Sequence, residues 1–390
     1  MRAVLVFLSF VAAQSGLSAL AEAISPVEAE IDYDAVILVA PFSDDDTVDR
    51  ADLLAELSFN LNIERTLENG VRLRSRASVR AQKDNVARPA ARGGFGDDPM
   101  ALPGAFSGLS AGPSLDDGAL KARLETGYIQ IDGGYGEARL GKGAGVAARF
   151  FEGAPSVISH GRLDTALLDP TGLAVLTTRH DLTGPSAKLS YAAPRLLGVR
   201  AGISYTPRAD ADGLDRSAER RFGASQPHLD HAVELAVNAT RRFRASGWRV
   251  DGALAWSSAQ AQSQPMSDPY KKVETISAGF KLEREDWQYG ASWLTSNNGL
   301  ADGDYSAWSA GLAREWGKTS ASLSYGEAQD DAAGLEAQGW QVGIARSFSD
   351  TVLSLSYKDQ TLDSVFGRRQ AKAIVLEITL SGEILNLERN

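Results

Sequence analysis

Four arginines fall at alternating positions in one short run. Residues 71–80 read VRLRSRASVR, so an extended chain puts Arg72, Arg74, Arg76 and Arg80 on one face and Val71, Leu73, Ala77 and Val79 on the other. Stacked guanidiniums attract and steer anions. Facing hydrocarbon, each would cost about 2–4 kcal/mol at the bilayer midplane, so in a membrane setting this face must look into water. Lys142, Lys188 and Arg200 are further basic candidates for the same wall. A long segment, residues 143–185, carries Glu152, Asp164, Asp169 and Asp181 among Arg149, Arg162 and Arg179. Folded inward, its carboxylates opposite the arginines would set a transverse field across the gap. Residues 210–215 (DADGLD) space Asp210, Asp212 and Asp215 like the start of a calcium loop but lack the late glutamate. Loop-bound calcium is therefore the one ligand to consider, and no other cofactor or metal is expected. His228 and His231 form H-x-x-H without a third ligand. No convincing Ser–His–Asp order occurs, so the residues point away from an enzyme.

Composition narrows the field. The 390 residues include no Cys, which excludes disulfides, thiolate metal sites and Cys nucleophiles. A net charge of −10 argues against a nucleic-acid binder. The 38 glycines suit strands and turns better than helices. The mean hydropathy of −0.19 reads as soluble.

The N-terminus reads as an export signal. Met1-Arg2 begins it, residues 3–13 (AVLVFLSFVAA) are apolar, and Ala19-Leu20-Ala21 and Ala21-Glu22-Ala23 are small-x-small cleavage sites. Residues 1–23 are thus expected to be a signal peptide and 24–390 one β domain.

That domain alternates. Leu57, Phe59, Leu61 and Ile63 interleave with Ser58, Asn60 and Asn62; Trp248, Val250, Leu254 and Trp256 with Arg249, Asp251 and Ala255; Ile374, Leu376 and Ile378 with Val375 and Glu377. Seven short turn-rich links, at 66–70, 132–136, 192–198, 241–247, 283–286, 315–318 and 347–350, imply seven hairpins. A strand near 28–39 and another at 371–381 bring the count to about sixteen. Longer polar links lie at 83–119, 143–185, 207–230, 259–270, 295–304, 326–337 and 358–370. Short turns on one rim and long loops on the other give an antiparallel up-and-down β-barrel that spans a membrane, with residues 143–185 as an inward-folded constriction loop.

Tryptophan supports that reading over a soluble sandwich. All seven Trp fall in strands or at their ends. Trp248 and Trp256 share one face about 26 Å apart along the strand, close to the apolar band's height once tilted. The apolar residues are expected to spread outward around the barrel rather than gather in a core. The polar faces, rich in Ser, Gly, Asn, Arg and Glu, are expected to line a wet lumen.

The sequence resembles the general diffusion porins of Gram-negative outer membranes, most closely those of alphaproteobacteria. The stretches that carry the resemblance are the signal peptide, residues 70–81 (GVRLRSRASVRA), residues 125–142 (ETGYIQIDGGYGEARLGK) and residues 189–207 (LSYAAPRLLGVRAGISYTP). The resemblance implies a sixteen-stranded barrel, a homotrimer surrounded by outer-membrane lipid, passive diffusion of small hydrophilic solutes and ions, and a third long loop folded into the pore. One departure is the ending LNLERN, where such porins usually finish on an aromatic residue. Either the last strand stops near Leu380 and leaves a tail, or assembly does not need that residue. Two other functions stay open: a non-conducting outer-membrane structural or adhesin barrel, and an exported soluble β-sandwich binding module.

Overall fold

The computed structural model describes residues 27–43, 53–85, 88, 103–109, 119–209, 214, 227–262, 269–364 and 367–388. The expected signal peptide and the calcium-like Asp210, Asp212 and Asp215 lie outside the described residues.

The strands are β1 (Val27–Ser43), β2 (Leu53–Thr66), β3 (Arg72–Lys83), β4 (Lys121–Gly133), β5 (Gly136–Lys142), β6 (Ala187–Ala192), β7 (Val199–Ala209), β8 (His228–Phe243), β9 (Trp248–Gln262), β10 (Lys272–Arg284), β11 (Trp287–Ser296), β12 (Tyr305–Trp316), β13 (Thr319–Asp330), β14 (Leu335–Phe348), β15 (Thr351–Ser364) and β16 (Gly367–Glu388). Each pairs antiparallel with its predecessor, and β16 closes on β1. The one helix among the described residues, α1 (Val146–Arg149), lies in the β5–β6 link.

The seven short turns fall where the alternation breaks. Glu285 and Ser349 take left-handed φ values of 53° and 52° in the tightest of them. Two links read as long are short. Strand pairing continues to Asp330↔Leu335 and Ser364↔Gly367, so residues 326–337 and 358–370 are mostly strand. The polar residues there keep the two-residue period, and the ladder outlasts the hydrophobic signal. At the C-terminus β16 passes Leu380 and pairs as far as Glu28↔Glu388. The reading in which the last strand ends near Leu380 is therefore wrong.

The outer face is apolar. Ile129, Leu140 and Leu254 are 58%, 64% and 64% exposed. Trp293 pairs with Trp308 across β11 and β12 on this face, and both are exposed. No soluble sandwich could leave such a belt uncovered.

The inside departs from expectation. A buried apolar cluster fills the long-link end of the barrel, with Leu173, Val175, Leu176 and Leu182 packed on Phe106, Leu294, Tyr305, Leu335 and Leu362. The apolar residues are therefore not all spread outward. Burying a side chain of this size contributes about 1.5–3 kcal/mol, enough to hold a loop inside a water-exposed lumen. Residues 103–109, expected to be part of an external link, enter the barrel too. Asn298 Oδ1 accepts from the Phe106 and Ser107 amides at 3.3 and 3.0 Å, and Tyr270 donates to the Pro103 carbonyl at 2.6 Å.

Candidate functional site

The β5–β6 link leaves and re-enters the wall at one brace. Lys188 Nζ on β6 donates to the carbonyls of Gly143 (2.7 Å) and Gly184 (2.6 Å), which ties the link's two ends together. This buried lysine is a strut rather than a free pore charge. Next, Val146, Ala147 and Phe150 pack on Ala192, Ala236 and Ala255 of the inner wall, and Ser204 Oγ accepts from the Val146 amide at 2.8 Å.

Below α1 one carboxylate serves three arginines. Glu137 pairs with Arg139 at 2.7 Å, with Arg200 at 3.1 Å and with Arg149. Two positive charges are left over locally. Burial pulls the Arg149 guanidinium below its ordinary range, repulsion from Arg139 adds to that, and Glu137 opposes both.

The outbound limb then crosses the lumen on a glycine track. A side chain at Gly279 on β10 would overlap the Glu152 carbonyl, and one at Gly290 on β11 would meet the Gly153 carbonyl at 2.5 Å. Glycine at these inward positions lets the loop backbone lie directly on the strands. The Val157 amide donates to Ser322 Oγ at 3.1 Å. The tip is caught by Glu377 on β16, whose carboxylate accepts from the amides of Ser159 (2.9 Å), His160 (3.1 Å) and Gly161 (2.8 Å) and from the Ser159 hydroxyl (2.7 Å). Gln341 and Lys358 donate to the Gly161 and Arg162 carbonyls at 2.9 and 3.0 Å. Leu168 completes the reach by packing on Val36, Leu38 and Leu54 of β1 and β2.

The return limb is fastened by its own acids. Asp169, fully buried, accepts from the amides of Thr171, Gly172 and Ala174 at 3.0, 3.0 and 2.8 Å. Asp164 accepts from the Thr178 amide at 2.9 Å and the Ser309 hydroxyl at 2.6 Å. The His180 ring sits between the Ser277 and Ser257 hydroxyls at 2.9 and 2.6 Å. The Tyr305 hydroxyl accepts from the Thr177 amide at 2.9 Å.

What stays open lies against the other wall. A cavity of about 330 Å³ runs between the return limb (Thr165, Thr177, Arg179, Asp181) and β2–β4, represented by Glu56, Ser78, Arg80 and Glu125. A second, of about 250 Å³, is lined by Arg76, Tyr128, Arg139, Lys142 and Lys188, and the two share Thr126 and Ala144. Arg139 lies over the Tyr128 ring at 4.6 Å.

The four-arginine face points inward, yet most of it is paired along the wall. Arg72 and Arg74 share Glu64 at 3.0 and 2.7 Å, and Arg80 lies 3.6 Å from Glu56. These acids stand on the neighbouring strand rather than across a gap. Of the four loop carboxylates, only Asp181 reaches the cavity beside Arg80. Asp164 and Asp169 are consumed in holding the loop. Glu152 lies over β9–β10 among Lys281, Asp251, Arg249 and Glu283, and burial raises its carboxyl above the ordinary range, with Lys281 opposing. The structure thus brings Asp181 and Arg80 to one opening and does not gather the other three acids there.

Some participants went unread in the sequence. Glu28, Glu30, Asp32 and Asp34 follow a two-residue period, and their partners Glu64, Asn62, Asn60 and Ser58 are inward residues of β2. Asn60 donates to Asp32 at 2.6 Å and Asn62 donates to it at 3.1 Å. This acidic column on β1 was legible as spacing in VEAEIDYD. Glu137 and Glu377 are single acids, the second within the apolar run IVLEITL, and no spacing marks the loop residues they hold.

A closed barrel of sixteen strands whose third long link crosses the lumen is the geometry of a diffusion channel. The family described as Gram-negative porin matches residues 4–363. The chain belongs to the Gram-negative porins. A search of the curated proteins finds no match. Among solved structures this porin is similar to OprB of Pseudomonas putida (9% identity, 92% of this chain and 94% of that one, TM-score 0.57). It is similar to OmpF of Salmonella typhi (12%, 91% and 97%, 0.57) and to OmpT of Vibrio cholerae in its trimer form (12%, 92% and 99%, 0.54). At these identities the likeness concerns the fold. The porin is an outer-membrane channel for passive diffusion, and its short turns mark the periplasmic rim.

Proposed function

We propose that solutes cross in single passage between the return limb of the 143–186 loop and the β2–β5 wall, and that the β6–β16 side carries none. The observation that supports this path is the pair of adjoining cavities that the described residues form between the loop and this wall. Small hydrophilic solutes and ions fit it, and nothing in the path calls for a chemical step. Among the described residues Arg72, Arg74, Arg76, Arg139, Arg149 and Arg200 share only Glu64 and Glu137 as carboxylate partners. That surplus favours anions along β3–β7, while the β1 column offers cations a parallel surface. The protein is a channel with no catalytic role, and it works as a homotrimer in outer-membrane lipid, a reading supported by the trimer form of the Vibrio OmpT. Protein folded into planar bilayers is expected to give stepwise conductance, grouped in threes. Folded protein that inserts without conducting contradicts the reading.

A further inference from the structure

The lipid-facing surface carries a groove that neither the barrel nor the pore requires. Across β9, β10 and β11, Gly252, Ala278 and Ala291 form a low floor between Leu254, Phe280 and Trp293, an open hollow of about 600 Å³. The register puts Gly252 beside Phe280, and Phe280 beside Ala291. A side chain built on Gly252 would meet nothing nearer than the Gly279 carbonyl at 3.8 Å, so the space opens outward.

Toward the short-turn rim the same outward rows end in guanidiniums seated on rings. Arg241 lies over Phe243 at 5.2 Å, Arg284 over Trp248 at 5.6 Å and Arg314 over Trp287 at 5.0 Å. Arg284 pairs with Trp287, which pairs with Arg314, so cation and ring alternate along one row. All three arginines are exposed, and none has an acidic partner among the described residues. The adjacent turns add Arg244 beside β8, and Glu285 and Asp286 beside β10. The positive surplus therefore lies toward Arg241. Arg284 is four residues from Phe280, about 13 Å along the strand, so a phosphate at the arginines and an acyl chain in the groove belong to one molecule.

We propose that this face binds an anionic diacyl phospholipid of the periplasmic leaflet, with one acyl chain in the Gly252–Ala291 groove and the phosphate between Arg241 and Arg284. Hydrocarbon fits the apolar floor, and the unpaired guanidiniums give the charge complement that selects an anionic headgroup. The proposal rests on the outer-membrane placement but not on conduction.

The test is native mass spectrometry of the detergent-folded full chain, titrated with phosphatidylglycerol or phosphatidylcholine of the same acyl chains. Wild type is expected to retain phosphatidylglycerol about tenfold better. The Arg241→Gln/Arg284→Gln double variant is expected to lose the preference and keep the weaker binding, and Gly252→Leu to lose both lipids. Single-channel conductance of the same preparations stays at the wild-type value, so failure here is distinct from failure of the channel. A measurement on wild type alone gives a second check: bromine-labelled acyl chains should quench tryptophan fluorescence more strongly on phosphatidylglycerol than on phosphatidylcholine. Equal retention and equal quenching of the two lipids overturn the proposal, as does a cross-link from Gly252→Cys to a second copy of the chain, which would make this face a subunit interface.

Discussion

The two sides of the lumen wall are built on opposite terms. From β6 round to β16 many inward residues beneath the loop are small or neutral, such as Ser257, Ser277, Ser292, Ser309 and Gln341, and the buried charges there, Lys188, Lys358 and Glu377, tie the loop down. From β1 to β5, apart from Val36, Leu38 and Leu54 under Leu168, they are mostly carboxylates, guanidiniums and amides that face open space or pair along the wall. Serine and glycine suit the first side because a peptide segment can lie on them at hydrogen-bond distance. Charge suits the second because a side chain kept in water avoids the cost of desolvation. One strand type thus builds both a dry support and a wet channel, and the choice lies in the inward residues alone.

The comparison breaks most severely at the loop tip. Hydrogen bonds to a charged acceptor contribute about 1.5–3 kcal/mol each, and Glu377 accepts several from the tip. Glu377→Ala should release it, raising single-channel conductance well above wild type with added noise. Unchanged, quiet conductance would mean that the tip is held by packing at Leu168 instead.

Next in size is the charged side. Arg72→Gln, Arg74→Gln and Arg76→Gln together remove three positive charges and leave Glu64 without its two arginines. The reversal potential in a salt gradient should move toward cation selectivity. An unchanged value denies the arginine face any role in selection.

The smallest effect lies on the dry side. Glu152 has a raised pKa in the folded protein, mainly from burial. Between its ordinary value near 4.5 and that raised value the folded state holds the extra proton. Stability therefore falls as pH rises through this window. Glu152→Gln lacks that slope, so it should melt slightly above wild type at neutral pH and level with it below about pH 4. The residue is only partly buried, so solvent screening keeps the difference below about 1 kcal/mol. A variant that melts lower at neutral pH would show that the nearby Lys281 outweighs burial.

Most of the barrel was legible because alternation, turn residues and outward tryptophans are local. Strand number, the even count, the third long link and the inward arginines all follow from spacing of two. The limits are equally physical. The polar inward face of β10–β14 reads the same whether water or a loop covers it, since Ser and Gly suit both. Asp164 and Asp169 look like any loop carboxylates until their donors are seen, and those donors include the hydroxyl of Ser309, far away in the chain. Lys188 reads as a lumen charge because nothing local announces that Gly143 and Gly184 converge on it. The acidic column of β1 is legible in the two-residue carboxylate period of VEAEIDYD, which interleaves with Val27, Ala29, Ile31 and Tyr33.

The division of the lumen can be tested directly because the chain has no cysteine of its own. Ser78 lines the open cavity, whereas Ser322 is buried beneath the loop at 6% exposure. Single Ser78→Cys and Ser322→Cys porins in planar bilayers would be treated with a charged thiol reagent while current is recorded. A rapid fall in conductance for Ser78→Cys and none for Ser322→Cys is the predicted result. Equal modification of both, or a response from Ser322→Cys alone, would contradict a pore confined to the β2–β5 side.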